Sequence, residues 1–165
     1  MKKILFCFSI LLVSASCMNA QKTRFSDEAL KANLLSYEGT QVAFKDVIEK
    51  HKGQVILIEC WASWCSDCVK AMPKFKKVQS NNPDVAYVFV SMDKTVEKWQ
   101  LGIEKHELKG DHYLANDGMK GNFGKSIDLD WIPRYIIVDK TGKISVYRAI
   151  ETDFELINST LNSLK

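Results

Sequence analysis

Trp61-Ala62-Ser63-Trp64-Cys65-Ser66-Asp67-Cys68 sets two cysteines three residues apart at the point where an apolar run gives way to a helical pattern. Upstream, Gln54-Val55-Ile56-Leu57-Ile58-Glu59-Cys60 is nearly continuous in apolar residues, as expected for a strand buried on both faces. Its one carboxylate, Glu59, stands out. Downstream the spacing of Met72, Phe75 and Val78 predicts a helix from about Ser66 to Gln79, with Pro73 inside it to kink it. Cys65 then falls at the helix N-terminus, where free backbone N–H groups and the positive end of the macrodipole favour a thiolate. Cys68 lies one turn further in and can close back on it. Thiolates are the nucleophiles of disulfide exchange, so strand, turn and helix together present a redox-active thiol pair.

The same spacing also occurs as half of a structural zinc site, which needs four ligands. No second C-x-x-C or C-x-x-H follows, and His51, His106 and His112 are scattered singly through polar surroundings. They read as surface or hydrogen-bonded histidines, and neither a metal nor another cofactor is expected.

Further along, Pro73 lies five residues beyond the second cysteine, Glu59 six before the first, and Ile132-Pro133 leads into the strand Arg134-Tyr135-Ile136-Ile137-Val138-Asp139. With Trp61 to Cys68, these residues resemble the thioredoxin fold, and most of all the TlpA/ResA-like extracytoplasmic thiol-disulfide oxidoreductases. The likeness runs from about Leu30 to the C-terminus. It implies an α/β three-layer sandwich, a central mixed sheet flanked by helices, with an N-terminal hairpin and a helix/strand insertion before a cis-proline. Pro133 would be that proline, lying against the Cys65–Cys68 redox-active disulfide and holding an extended substrate segment. Ile132 would shape the same groove, and Trp64 would form an apolar edge of it. The implied partners are disulfide-containing client proteins and an upstream thiol electron donor.

Two departures matter. Ser66 and Asp67 are unusual between the cysteines, and an anionic Asp67 opposes thiolate formation on Cys65, biasing the pair toward the reducing end. One pKa unit on a thiol is worth about 1.4 kcal/mol, or about 30 mV for a two-electron couple, against a span of roughly 150 mV for this chemistry. The bias therefore does not fix the potential. Second, the strand Val85 to Ser91 offers no lysine to partner Glu59, so desolvation alone should raise its pKa. Glu59 is the expected acceptor of the proton that Cys68 must lose.

At the N-terminus, Lys2-Lys3, the apolar stretch Ile4 to Val13 and small or polar residues to Ala20 have the three-part layout of a secretory signal peptide, too short in its apolar core to span a bilayer. Met18-Asn19-Ala20 before Gln21 suits ordinary cleavage, while Ser14-Ala15-Ser16-Cys17 resembles a lipobox with serine where an aliphatic residue usually stands. The expected division is a leader over residues 1–20, or 1–16 with a lipid on Cys17 as membrane tether, and one thioredoxin-like domain over 21–165. Loss of residues 1–20 removes two lysines and no acids, taking the formal charge from +3 to +1. Nothing in that balance suggests nucleic acid. The expected compartment is extracytoplasmic, such as a periplasm. Cys60 reads as an inert small hydrophobe in its strand.

Around this centre, Ala32 to Leu35 and Val42 to Phe44 predict a hairpin, followed by a helix over Lys45 to Lys50. A helix over Thr95 to Leu108 is expected, with Gly110 past its end, and a strand over His112 to Ala115. The last helix should open on the capping box Thr152-x-x-Glu155 and bury Phe154, Ile157, Leu161 and Leu164. Gly121 to Ser126 imitates the end of a phosphate-binding loop, but Met119 stands where its first glycine belongs, so it reads as a loop or short helix.

The reading is thus a thiol-disulfide oxidoreductase. A peroxidase of T-x-x-C type fits poorly, because Cys65 occupies the threonine position before Cys68, and Ala62 occupies it before Cys65. A copper or haem-maturation thiol chaperone is the other alternative. Soft thiolates suit Cu(I), with Met72 as the one local soft side chain.

Overall fold

The strand before the cysteines, β3 (Ile56–Trp61), is buried at all six positions because it has strands on both edges and helices over both faces. The computed structural model describes residues 21–165. The leader, Cys7 and Cys17 lie outside the described residues. β3 pairs in parallel with β4 (Ala86–Ser91) and antiparallel with β6 (Arg134–Val138). β4 pairs in parallel with β5 (Asp111–Leu114), and β1 (Asn33–Ser36) runs antiparallel to β5. The hairpin partner β2 (Gln41–Ala43) closes one edge and β7 (Ile144–Ala149) the other, giving the order β2-β1-β5-β4-β3-β6-β7. A mixed seven-stranded sheet is therefore the middle layer.

Three helices cover the face that carries Glu59. α3 (Ser66–Asn81) sends Phe75 to 5.3 Å from Phe89 and 5.8 Å from Tyr135, ring centre to ring centre. α6 (Phe154–Ser163) brings Phe154 to 5.4 Å from Tyr135. α4 (Val96–His106) presses Gly102 against Ser63 and Trp61, where an added Cβ would lie 2.7 Å from Ser63 Cβ. The opposite face is covered by α1 (Asp27–Lys31), α2 (Phe44–Lys50) and α5 (Asn122–Ser126), around Phe44, whose ring sits 4.9 Å from both Phe25 and Phe123. Aromatic pairs of this kind add specific geometry to the area they bury.

Some local expectations are corrected. The last helix does not use the Thr152 capping box. Its first flanking residue is Asp153, whose carboxylate turns back to accept the Ile150 N–H at 2.9 Å. Its buried stripe is Phe154, Ile157 and Leu161, while Leu164 is only partly buried. α4 closes at Glu107 in the left-handed region, φ 48°, one residue before the expected Leu108, and Gly110 stands past its end. Gly110 allows close approach to β4, since a Cβ there would stand 2.5 Å from the Tyr87 carbonyl. Gly124, the glycine that imitated a phosphate loop, packs in α5 against the backbone of Met119, whose carbonyl oxygen would lie 2.1 Å from an added Cβ.

Candidate active site

The turn from β3 into α3 places Cys65 in extended backbone as the N-cap of α3, its Sγ accepting the Cys68 N–H at 3.1 Å. A sulfur thus occupies the capping position usually filled by an oxygen, aimed by the donors that a helix start leaves free. Cys65 and Cys68 are joined as a disulfide with their Cα atoms 5.3 Å apart. Cys65 keeps 6% of its surface exposed and Cys68 none. Attack from outside is therefore directed to the Cys65 sulfur.

The segment before β6 comes down on the pair from the other side. The Ile132 carbonyl oxygen stands 3.5 Å from Cys65 Sγ, and the Ile132–Pro133 peptide is cis. Arg134 holds this segment, donating to the Asp130 carboxylate at 3.1 and 3.2 Å and to the Pro133 carbonyl at 3.0 Å. From β7, the Arg148 guanidinium donates to the Asp128 carbonyl. Two arginines thus fix the backbone that faces the cysteines.

Between the two segments runs a groove of about 200 Å³ lined by Trp64, Cys65, Ser66, Asp67, Met119, Trp131 and Ile132. Trp64 and Trp131 are 60% and 56% exposed, which for so large a hydrocarbon surface leaves two unsatisfied apolar walls beside the accessible sulfur. Pro133 is buried and is not among the groove's lining residues. Asp67 has Lys70 Nζ 3.6 Å from its carboxylate, so a cation stands beside the charge that opposes the Cys65 thiolate.

Glu59 is 1% exposed. Burial pushes its carboxyl up to about 8, opposed by a contact from the Tyr135 hydroxyl at 3.5 Å from Oε1, while Oε2 has no hydrogen-bond partner among the described residues. The sequence reading expected desolvation alone. The Tyr135 contact comes from the β3–β6 register, which sets Glu59 directly opposite Tyr135. Phe75 packs on Tyr135 and lies seven residues after Cys68 in α3, so Glu59 and Cys68 belong to the same interface between sheet and helix. On the other face of β3, Cys60 is wholly buried and free, and burial together with Glu59 pushes its thiol up to about 12.

Beneath the turn lies Asp93, a buried carboxylate ringed by neutral donors: Ser63 N–H at 2.9 Å, Ser63 Oγ at 2.7 Å and Ser91 Oγ at 2.8 Å. The histidines do not converge on the cysteines. His51 bonds Asp111 at 2.8 Å alongside Lys50 at 2.6 Å. His112 is not in polar surroundings, for its ring stacks on Phe89 at 5.0 Å. Sequence reasoning did not single out Trp131, Met119, Tyr135 or Asp93 as site residues. A tryptophan immediately before Ile132-Pro133 was a visible signal; the others depend on strand register and loop closure.

A family model described as thioredoxin-like matches residues 53–144. A protein disulfide-isomerase from Ricinus communis is 28% identical over 126 residues, 75% of this chain, yet the chain spans only 23% of that protein. The thiol-disulfide oxidoreductase ResA from Bacillus thuringiensis subsp. konkukian is 22% identical over 75% of the chain and 69% of ResA. Among solved structures, the thioredoxin domain of a thiol-disulfide oxidoreductase from Bacteroides vulgatus superposes with a TM-score of 0.66 at 26% identity, covering 81% of this chain and 93% of that one.

Proposed function

The chain belongs to the thioredoxin-like family, and on that premise we propose that it is a thiol-disulfide oxidoreductase that reduces or exchanges disulfides of client proteins outside the cytoplasm. The observation that carries this reading is the asymmetry of the pair: Cys65 caps α3 at the edge of an aromatic groove, and Cys68 is sealed behind it.

In the reductive direction the Cys65 thiolate attacks a client disulfide, forming a mixed disulfide and releasing one client thiolate. Cys68 then gives up its proton and attacks the Cys65 sulfur. The second client thiolate leaves, so the client disulfide has gained two electrons in all from the Cys65–Cys68 pair, now itself a disulfide. An upstream thiol donor restores the dithiol. Glu59 in its ionised form is the proposed proton acceptor: a carboxyl pushed up to about 8 is matched to a buried thiol far better than an ordinary glutamate, and the step quickens as pH rises toward that value. Trp64 and Ile132 line the binding groove for the client segment, and Pro133 acts through its cis bond to Ile132, which sets the course of that wall.

Residues 1–20 support an exported protein, with Gln21 or a lipidated Cys17 as its first residue and residues 21–165 as the working domain. No helix among the described residues is long and apolar enough to cross a membrane. The function is tested by reduction of insulin disulfides and by the reduction potential of the pair. A potential near about −270 mV indicates a reductase, and one near about −120 mV a disulfide-forming oxidant. Absence of any exchange overturns the proposal. A second reading, a Cu(I) or haem-maturation thiol chaperone, draws on Met119, a soft-ligand residue lining the groove beside Cys65. Copper affinity measured beside the exchange rate separates the two.

A further inference from the structure

Asp93 is a fully buried carboxylate with no part in the proton chemistry proposed above, and no lysine or arginine bonds it among the described residues. A buried charge without a countercharge is costly, and its retention calls for a task. Its hydrogen bonds supply one. Of its three donors from elsewhere in the chain, two belong to Ser63, the backbone N–H on Oδ2 and the hydroxyl on Oδ1, and the third is the Ser91 hydroxyl. The Asp93 N–H in turn donates to Ser91 Oγ at 3.0 Å, so the aspartate is itself held in place. Ser63 stands two residues before Cys65, in the turn that hands the chain from β3 to α3.

The same serine is pressed from a second element. Gly102 of α4 comes so close that an added Cβ would lie 2.7 Å from Ser63 Cβ and 3.2 Å from the Trp61 ring. Ser63 is therefore drawn down by Asp93 and packed from the side by α4. We propose that Asp93 and Gly102 form a clamp on Ser63 that fixes the turn and thereby holds Cys65 Sγ on the Cys68 N–H, making Asp93 a positioning residue for the redox pair. The proposal rests on the exchange function above but is measured apart from it.

Geometry and charge make opposite forecasts, which permits a clean test. If Asp93 acted on Cys65 through its negative charge, removing that charge would favour the thiolate and lower the Cys65 pKa in both Asp93→Asn and Asp93→Ala. If it acts by positioning, Asp93→Ala frees the turn, the cap on α3 loosens, and the thiolate loses stabilisation. Asn can still accept the Ser63 N–H and bond its hydroxyl, so Asp93→Asn stays near wild type.

The experiment is the pH profile of Cys65 alkylation in the reduced purified protein, with the glutathione equilibrium of the pair measured alongside. Asp93→Ala is expected to raise the profile midpoint by about half a unit, a threefold loss of thiolate at fixed pH, and to shift the exchange equilibrium to match, about 14 mV. Gly102→Ala, which leaves the carboxylate untouched and pushes Ser63 from the other side, should move both readouts away from the wild-type values. A variant that lowers thermal stability while leaving midpoint and equilibrium unchanged shows a packing role only and overturns the inference. So does a downward shift shared by Asn and Ala. Insulin reduction by the wild type reports separately on the function, because midpoint and equilibrium are defined whether or not a client is turned over.

Discussion

The Tyr135 hydroxyl lies 3.5 Å from Glu59 Oε1 across the β3–β6 ladder, and it is the one side chain that bonds this buried carboxylate among the described residues. Burial, only partly opposed by that contact, holds Glu59 mostly neutral at pH 7, in a strand that every other residue enters as an apolar or small group.

The consequence for stability has a definite sign. The carboxyl is raised in the folded chain to about 8, whereas in the unfolded chain it titrates near 4.5. Its contribution is fully present below about pH 4.5 and is lost as pH rises toward about 8, a total on the order of a few kcal/mol. Glu59→Gln should therefore raise Tm at pH 7 to 8 and change it little at pH 4. The same variant should slow mixed-disulfide breakdown in single-turnover kinetics. Equal breakdown rates would make Glu59 structural only.

Removing the hydroxyl should sharpen this. Tyr135→Phe takes away the contact that lowers the Glu59 pKa and leaves burial unopposed, so the pH midpoint of the resolution step should move upward with the pair's reactivity otherwise intact. A midpoint unchanged from wild type would mean that the contact is not felt by Glu59.

The two cysteines should fail differently. Cys65→Ser should abolish insulin reduction, whereas Cys68→Ser should accumulate mixed disulfides with clients, seen as higher-mass species that dithiothreitol releases. Trapping by the Cys65 variant alone would reverse the assigned order of attack.

His112 predicts an acid-side instability. Burial lowers its pKa, the Leu108 carbonyl bond at 3.2 Å and nearby Asp111 oppose that, and Nδ1 is buried without a partner among the described residues. A depressed histidine contributes stability above its unfolded pKa, about 6.5, that is lost as pH falls toward the folded value. His112→Phe should flatten the dependence of Tm on pH below about 6.5, at the expense of the Leu108 bond at neutral pH. Parallel Tm profiles for both proteins would refute it.

If the protein is exported as proposed, its N-terminus should be Gln21, or Cys17 with a lipid mass added, as read by mass spectrometry. An intact Met1 on a cytosolic protein would overturn the proposed compartment.

The sequence carried the centre of the fold because its signals there are local. An apolar run, a C-x-x-C and a helical stripe each lie within one element, so β3, α3 and the order of the pair could be read directly. The hairpin at 33–43 was legible for the same reason. What was missed depends on register. No spacing tells that Tyr135 meets Glu59, 76 residues away, or that Asp93 closes on Ser63, 30 residues away. The Thr152 box failed because capping competes with other hydrogen bonds in the turn, and Asp153 satisfies Ile150 there. His112 is hydrogen-bonded as expected, to the Leu108 carbonyl, but its stacking on Phe89 follows from the β4–β5 register, which no local spacing reveals.

The contact between Cys65 Sγ and the Ile132 carbonyl joins residues 67 apart in sequence, whereas Cys65 and Cys68 are neighbours. Reactivity and selectivity therefore mature at different moments of synthesis. A growing chain that has made only β3 and α3 already carries both thiols, but the wall that screens them is still unmade. Until β6 pairs with β3, the Ile132 carbonyl has no fixed place over the pair, and long-range strand pairing is the slow kind. On the proposed function, discrimination among clients would be a property of the finished topology, and a chain stopped before Ile132 would carry the dithiol without this wall of the groove.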